Sequence, residues 1–416
     1  MASGLIRSAR LKVDNMNKNN PDALQRSFQK GSNQVAIRSY NERLVLQLIR
    51  EQGAVTKADA TRATGLSPNA ISTIFRTLEE DGFLLRDEPI RGRIGQPSTP
   101  MRLDPEVRHY VAFAVGRRSM ELAVIDFLGQ IKASKRLIIP YPTPEGALTF
   151  FKDNLTPLLR AAKQNRGSIA GMGLAMPFEL WSWTSEFDAP SEVMSAWRDF
   201  SLVEALQELV PWTIVFENDA TAACRAELVF GSRSTLQDWI YFFIGTFVGG
   251  GIVLNGSVFA GRKGNAGGFG PMRVPGKEGD RLVDHASLVV LEHWLKADNR
   301  EPLDIYDEAT DWSTLEPYVS NWIHRAARNL AHATVSALAV IDFEGVVIDG
   351  AFPAEIRQRL VDEFRHKMDI IDLQGVTMPA IDAGHIGRKA RILGGAAALI
   401  NQNHMIDQNT LLRSQA

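Results

Sequence analysis

The sequence predicts an α/β protein of two similar lobes, with a small helix-turn-helix domain in front of them. Three observations lead to this prediction. The 416 residues are too many for one ordinary hydrophobic core. Apolar residues in the first hundred positions recur at helical spacing and are interrupted by a glycine turn. After about residue 104, stretches typical of strands and helices alternate, and their order is repeated once.

The helix-turn-helix domain is predicted over residues 33–103, after a flexible basic tail over 1–32. Gly53 ends the first helix, and Thr56 can cap the second with Asp59 as its capping-box partner. Ser67 caps the third helix, with Pro68 at its first position. The exposed face of that third helix carries groups suited to base edges and phosphates, namely Ser67, Asn69, Ser72, Thr73 and Arg76. We therefore predict binding to double-stranded DNA, although a plain helical bundle with a solvated face remains the alternative.

Two predicted strands after the third helix flank a basic loop that contains Arg91 and Arg93. A glycine-rich Arg-Gly-Arg tip is slim enough to enter a minor groove, so we predict a DNA-binding wing. The alternative is a flexible interdomain linker, and the same loop can serve as both wing and linker.

Strand and helix signals place the first lobe at 104–235 together with 389–416, and the second lobe at 236–388. In the second lobe these signals include a strand that starts at Gly251 and a helix over about 284–296. Two similar lobes imply a cleft between them, where ligands usually bind.

The composition fits a folded cytoplasmic protein. Hydrophobic residues make up 45% of the chain, which excludes extensive disorder, and the single cysteine, Cys224, excludes disulfides and cysteine-rich zinc sites. The most apolar stretch, 239–254, is too short and too rich in glycine to span a membrane, and residues 1–20 lack the apolar core of a secretory signal.

The charge is divided unevenly along the chain. Residues 1–103 hold 16 Lys and Arg against 10 Asp and Glu, whereas the remaining residues hold 30 against 38. Opposite charge in two parts of one chain indicates two different partners, although a difference of this size can arise by chance.

Two stretches carry candidate chemistry. Asn218 and Asp219 follow a predicted buried strand, at the edge where α/β sheets bind ligands, although capping of the next helix explains them equally well. A glycine-rich stretch holds the other candidate ligand-binding residues, which are Gly249, Gly250, Gly267 and Gly268. Tight hairpin turns are the alternative there. The eight histidines show no spacing typical of a metal site.

The chain resembles the ROK family of repressors and sugar kinases from about Asn33 to Asn401. The resemblance is carried by Glu217-Asn218-Asp219-Ala220, by Gly245-Thr-x-x-Gly-Gly-Gly and by Asn265-Ala-Gly267. It implies a two-lobed fold like that of actin and hexokinase, related to ribonuclease H. It also implies that Asn218 and Asp219 match the family's sugar-binding asparagine and catalytic base.

The departures from the family pattern argue against catalysis. The kinases' Asp-x-Gly-Gly-Thr phosphate loop is replaced by Ala114-Val-Gly-Arg-Arg118, so the metal-organising aspartate is missing and bulky arginines replace small residues. The family's Glu-x-Gly-His segment reads Gly268-Phe-Gly-Pro271, which removes two sugar-contacting side chains and a zinc ligand. We therefore predict no zinc and no ATP cofactor, with Asp219 as a vestigial base.

The prediction from sequence is a transcriptional regulator of carbohydrate-use genes, most simply a repressor. It would act as a homodimer or homotetramer and respond to a sugar or phosphorylated sugar. Two alternatives stay open: an active sugar kinase, indicated by the retained Asp219, and a DNA-binding scaffold without effector, indicated by Gly268 and Pro271.

Overall fold

The N-terminal domain consists of three helices and a small antiparallel sheet. We describe it, with the rest of the chain, from a computed structural model over residues 30–89, 98–231 and 236–406. The helices are α1 (Lys30–Gln52), α2 (Lys57–Thr64) and α3 (Pro68–Glu80). The strands are β1 (Ala54–Val55), β2 (Leu84–Arg86) and β3 (Met101–Leu103), in the order β1-β3-β2. Helix α1 begins slightly before the predicted onset of order at Asn33.

Side-chain caps fix the start of α2 and α3 where the sequence predicts them. The hydroxyl of Thr56 accepts a hydrogen bond from the Asp59 backbone at 3.2 Å, and that of Ser67 accepts one from the Ala70 backbone at 3.3 Å. Gly65 has a φ of 70° in the turn between the helices, a left-handed conformation that favours glycine. The helix-turn-helix geometry therefore follows from local sequence.

The first lobe is built on a five-stranded mixed sheet. Its strands are β4 (His109–Val115), β5 (Ser119–Asp126), β6 (Ile131–Ile138), β7 (Ile169–Ala175) and β8 (Ile214–Glu217), in the order β6-β5-β4-β7-β8. The first three pair antiparallel, and β4, β7 and β8 pair parallel. Its helices are α4 (Pro144–Ala161), α5 (Ser191–Ser195), α6 (Leu202–Gln207) and α7 (Asp219–Phe230).

The second lobe repeats this sheet order, as the sequence predicts. Its strands are β9 (Trp239–Ile244), β10 (Val248–Leu254), β11 (Ser257–Val258), β12 (Gly345–Gly350) and β13 (Ala380–Ala383), in the order β11-β10-β9-β12-β13. Its helices are α8 (Val283–Ala286), α9 (Leu288–Ala297), α10 (Tyr318–Leu338) and α11 (Ala354–Ile370). The chain then enters α12 (Ala390–His404).

Two predicted elements differ from those observed. The helix predicted over 284–296 is divided into α8 and α9, because Ser287 adopts an extended conformation and its hydroxyl accepts a hydrogen bond from the Val248 backbone at 3.0 Å. Strand β10 begins at Val248, three residues before its predicted start at Gly251. Its glycines form regular antiparallel pairs with β9, so they belong to the strand rather than to a turn.

Helix α12 packs on the first lobe through small residues. A methyl group on Gly173 of β7 would collide with the backbone of Gly395, and one on Gly394 would collide with the Ala222 carbonyl of α7. These close approaches hold the C-terminal helix against both elements.

The N-terminal domain packs against the first lobe and the end of α12. The rings of Phe83 and Phe127 meet edge to face at 5.5 Å, and the Arg50 guanidinium donates to the Phe127 carbonyl at 2.8 Å. His404 packs against both of these phenylalanines. Within the described parts of the chain, no helix is both long and apolar enough to cross a membrane.

Candidate functional site

A cavity of about 490 Å³ lies in the cleft between the two lobes. Polar side chains of both lobes line it, among them Arg117, Glu179, Asn218, Asp219, Thr246, Lys263, Asn265 and Arg391. Aromatic side chains complete the wall, namely Phe178, Trp183, Phe243 and Phe247. An apolar wall with a few converging polar groups is typical of a small-molecule site.

The two predicted polar residues enter the cavity from the start of α7. The Asn218 side chain accepts a hydrogen bond from the Ala220 backbone at 3.0 Å, so the capping interpretation is confirmed for this residue, which also lines the cavity. Asp219 lines the cavity with an oxygen 3.6 Å from Nη1 of Arg391. The neighbouring Glu217 instead forms a bidentate ion pair with Arg225, at 2.9 Å and 2.6 Å.

The four predicted glycines divide into two pairs. Gly249 and Gly268 line the cavity, whereas the lining does not include Gly250 or Gly267. A side chain on Gly250 would collide with the Tyr241 carbonyl and the Phe269 ring. Gly267 has a φ of 82° and packs on the backbone of Gly251. The structure thus gives this second pair a packing role, and ligand contact by any of the four stays a prediction.

Sequence reasoning missed several lining residues, above all Arg391, which lies 3.6 Å from Asp219. From the sequence, Trp183 could stack against a sugar ring, although core or interface packing is the more common role of such a residue. It has a φ of 60°, and such left-handed geometry in a bulky residue tends to occur at functional sites. Its ring packs 5.6 Å from that of Phe247 and carries the Arg281 guanidinium 4.9 Å above it. No local pattern identifies Arg391, because it comes from the C-terminal helix.

The segment that replaces the phosphate loop is filled by arginines. The Arg391 guanidinium occupies the space where a side chain on Gly116 would point. Arg117 places its guanidinium 4.4 Å from the centre of the Phe247 ring, and burial lowers its pKa to about 10, so it stays charged at neutral pH. Ala114 lies buried in β4 and supplies no carboxylate. These residues do not fit the metal that accompanies ATP, because none of them supplies a carboxylate.

Arg118, the second arginine of this segment, turns away to join the lobes. It forms a buried ion pair with Glu292 of α9, in which the Nε to Oε2 distance is 3.0 Å. It also donates to the Phe187 carbonyl at 2.9 Å, and Tyr306 donates to the same glutamate at 3.1 Å. Arg118 therefore links the lobes rather than offering its charge to a ligand.

No metal centre is formed by the described residues. Among residues 30–89, 98–231 and 236–406, no group of three or more His, Cys, Asp or Glu side chains is placed to hold a metal ion. Pro271 lines the cavity without a donor atom on its side chain, so the zinc ligand expected from the resemblance has no counterpart there. Cys224 is buried in α7, and burial raises the pKa of its thiol.

The candidate DNA interface is the outer face of α3. The predicted residues Ser67, Asn69, Ser72, Thr73 and Arg76 are exposed, while Ile71, Ile74, Phe75 and Leu78 form the buried face. Arg76 faces Glu80 at 4.0 Å, which leaves its guanidinium accessible. Arg91 and Arg93, predicted at the tip of the wing, lie outside the described residues.

Comparison with known families agrees with this architecture. Residues 110–403 match the ROK family, and residues 38–84 match a winged helix-turn-helix DNA-binding domain. Because the first match covers more than half of the chain, the protein belongs to the ROK family. A winged helix in front of a ROK domain makes it a member of the branch that contains transcriptional regulators.

Similar proteins include both repressors and kinases. An uncharacterized protein of Sinorhizobium fredii, y4fQ, is 26% identical over 86% of this chain and 89% of its own length. The xylose repressor of Bacillus subtilis is 22% identical, over 58% of this chain and 62% of the repressor. The chain thus matches about three fifths of that repressor's length.

Two solved structures show the same fold. A ROK family transcriptional regulator, described as a homolog of the Escherichia coli MLC protein, superposes with a TM-score of 0.60 at 18% identity, covering 88% of this chain and 96% of its own. A ROK family glucokinase from Streptomyces griseus superposes with a TM-score of 0.55 at 21% identity. The superposition covers 71% of this chain and 99% of the glucokinase. The two-lobed fold expected from the sequence is therefore confirmed.

Proposed function

We propose that the protein is a transcriptional repressor of carbohydrate-use genes. In this proposal the winged helix binds operator DNA and the interlobe cavity binds a sugar or sugar-derived effector. The observation that carries the proposal is the combination, in one chain, of an exposed polar α3 face with a cleft whose phosphate loop is replaced by arginines. The names of the relatives, a xylose repressor and the transcriptional dual regulator NagC, support a sugar-responsive role.

Local chemistry of α3 favours DNA. Short hydroxyl and amide groups at its N-terminal end can approach base edges, and Arg76 can reach a phosphate or a guanine. The start of the helix also carries the positive end of its dipole, which favours an adjacent phosphate. As an operator reader it would act in the cytoplasm, as a homodimer or homotetramer, without zinc or ATP.

A mobility-shift titration of the full chain against its own upstream region tests DNA binding. We expect sequence-specific binding at moderate salt, lost in an Asn69→Ala, Arg76→Ala double variant. Arg198→Gln is the matched control, because Arg198 is exposed in the first lobe and outside the cavity. Failure to prefer the upstream region over unrelated DNA of equal length would contradict the proposal.

Sugar kinase activity is a second candidate because Asp219, which the family resemblance matches to the catalytic base, lines the cavity. A coupled ADP-release assay over a panel of hexoses tests it, with Asp219→Asn as control. We expect no turnover above background, because the Ala114-Val-Gly-Arg-Arg118 segment lacks the aspartate that organises the metal–nucleotide complex. Turnover that the substitution abolishes would replace the repressor proposal by an enzymatic one.

A further inference from the structure

Cationic side chains outnumber acidic ones in the lining of the interlobe cavity. Arg117, Lys263 and Arg391 line the cavity against the carboxylates of Glu179 and Asp219. Two of these cations come from distant parts of the chain, one from the turn after β4 and one from the first turn of α12. Their convergence on one wall is a property of the fold and not of a local motif.

Arg117 has unused hydrogen-bonding capacity. Its Nε is buried and has no hydrogen-bond partner among the described residues, and its guanidinium forms no ion pair with any of them. Contact with the Phe247 ring at 4.4 Å holds the group in place without satisfying its N–H donors. A charged, desolvated donor left unpaired is costly, so its retention in the wall of a cavity indicates a partner that arrives from outside.

Arg391 is poised beside it. One of its nitrogens donates to the Ser119 hydroxyl at 3.0 Å, another lies 3.6 Å from Asp219, and its Nε is buried without a partner. The distance to Asp219 exceeds that of a charge-assisted hydrogen bond. Arg391 therefore still has donors to offer to a ligand.

The start of α12 adds to the positive charge. The helix has no side-chain cap and no acidic residue in its first turn, and Arg388, Lys389 and Arg391 cluster there. Basic residues at a helix N-terminus are unfavourable unless a negative charge compensates them. Arg388 donates to the Tyr306 carbonyl at 3.2 Å, which leaves Arg391 as the member of this cluster that lines the cavity.

We propose that Arg117 and Arg391 bind an oxyanion of the effector, so that the cavity selects an anionic sugar derivative over its neutral parent. The oxyanion would lie between the two guanidinium groups, and the sugar would extend toward Asn218 and Asp219, which line the same cavity. This inference rests on the proposed function for the sugar part of the ligand. The shared chemistry is a phosphate ester or a carboxylate, since arginine pairs with both.

Direct binding to the full chain tests the inference without DNA. Calorimetric titration and thermal shift would compare glucose with glucose 6-phosphate, N-acetylglucosamine with its 6-phosphate, and both with glucuronate; inorganic phosphate probes the oxyanion site alone. We expect at least one anionic probe to raise the melting temperature more than its neutral parent. Phosphate esters and glucuronate identify the two possible sources of the oxyanion, and preference for either supports the inference.

Substitution then assigns the contact. Arg117→Gln should raise the Kd of the preferred anionic probe about 10- to 100-fold, the range expected for loss of a charge-assisted hydrogen bond. Arg198→Gln should leave it unchanged. Arg117→Gln is preferred to Arg391→Gln, because Arg391 donates to the Ser119 hydroxyl, whereas the Arg117 Nε has no hydrogen-bond partner among the described residues.

Several results would overturn the inference. These are equal stabilisation by neutral and anionic probes, no response to any anionic probe including inorganic phosphate, and unchanged affinity in Arg117→Gln. Failure of the operator assay alone would remove the regulatory role and leave the oxyanion site standing. Operator binding with no preference for anionic probes would support the regulatory role and remove the oxyanion site.

Discussion

His404 shows how one residue can report on the contact between domains. Its ring packs 5.1 Å from that of Phe83 in the N-terminal domain and 5.3 Å from that of Phe127 in the first lobe. Burial, with Arg108, Arg43 and Arg50 nearby, lowers its pKa from 6.5 to about 4. The imidazole is therefore neutral in the folded protein at neutral pH.

This pKa predicts a pH-dependent stability. Between about pH 6.5 and 4 the unfolded chain binds a proton at His404 and the folded chain does not, so stability falls as pH falls through this window. The contribution is about 2 to 3 kcal/mol. In denaturant unfolding, the free energy of unfolding of His404→Gln should fall less than that of the parent protein between about pH 6.5 and 4. The difference should equal this contribution. The exposed His366→Gln is the control, and equal slopes in both variants would contradict the prediction.

Gly173 illustrates a residue whose smallness is required by packing. It lies on β7 directly under Gly395, and an added methyl group would overlap the helix backbone. We expect Gly173→Ala to lower the free energy of unfolding by about 1 to 3 kcal/mol through overpacking. Gly245→Ala is a fair comparison, since its new methyl group would touch the Phe243 ring at an ordinary 3.4 Å. Similar stabilities of the two variants would argue against close packing at Gly173.

At the scale of elements, α3 separates two roles on its two faces. Its apolar face is buried in the N-terminal domain, so substitutions on the opposite face should change DNA binding and leave folding intact. Arg76→Ala should weaken operator binding and, if the residue contacts a phosphate, reduce the slope of log K against log salt by about 1. Mobility shifts at several salt concentrations measure this. An unchanged affinity at every salt concentration would exclude Arg76 from the interface.

The cap of α3 gives a contrasting prediction. Ser67→Ala removes the hydrogen bond to the Ala70 backbone and should cost about 1 kcal/mol of stability. Asp or Asn at the same position should restore it, because both can accept the same bond. Thermal unfolding compares the three variants, and a Ser67→Ala protein as stable as the parent would show that the cap contributes nothing.

At the scale of the whole molecule, ion pairs tie the two lobes together. Arg118 pairs with Glu292 inside the protein, Arg281 with Glu186 at 2.9 Å, and Lys296 with Asp188 at 2.7 Å. Any change in lobe separation has to break such pairs. The buried Arg118 pair dominates, since the exposed Lys296 pair is screened by water.

Removal of one partner of the buried pair should therefore be severe. Glu292→Ala removes the carboxylate partner of the buried Arg118 and the acceptor of the Tyr306 hydroxyl, and should cost about 3 to 5 kcal/mol. Asp188→Ala, at an exposed pair, should cost less than about 1 kcal/mol. Chemical denaturation of both variants measures the two losses in free energy of unfolding. Comparable losses would mean that the buried pair contributes no more to stability than the exposed one.

Helix α12 also connects regions of different function. It carries Arg391 at the cavity and His404 at the N-terminal domain, at opposite ends of one continuous helix. An effector that shifts α12 would thus displace the element on which the DNA-binding domain packs, because both contacts belong to one continuous helix.

The sequence by itself determined the elements and their order. Thr56 and Ser67 fix helix starts through hydrogen bonds to residues three positions away, and apolar runs indicate the central strands of both sheets. Short-range physics is sufficient for these elements. The motif around Asn218 also placed Asn218 and Asp219 correctly, directly after the end of β8. The helix predicted over 284–296 failed because Ser287 bonds to Val248, a contact that no local pattern contains.

Only the tertiary structure decided what the cleft offers to a ligand. Sequence reasoning treated Arg117 and Arg118 alike, but folding pairs Arg118 with Glu292 and leaves Arg117 in the cavity wall. It likewise brings Arg391 from the last helix to Asp219 and Gly116, and it moves Gly250 and Gly267 into packing roles. The reason is physical. Whether a charged side chain forms an internal ion pair or stays available to a ligand depends on which distant residues the fold places beside it.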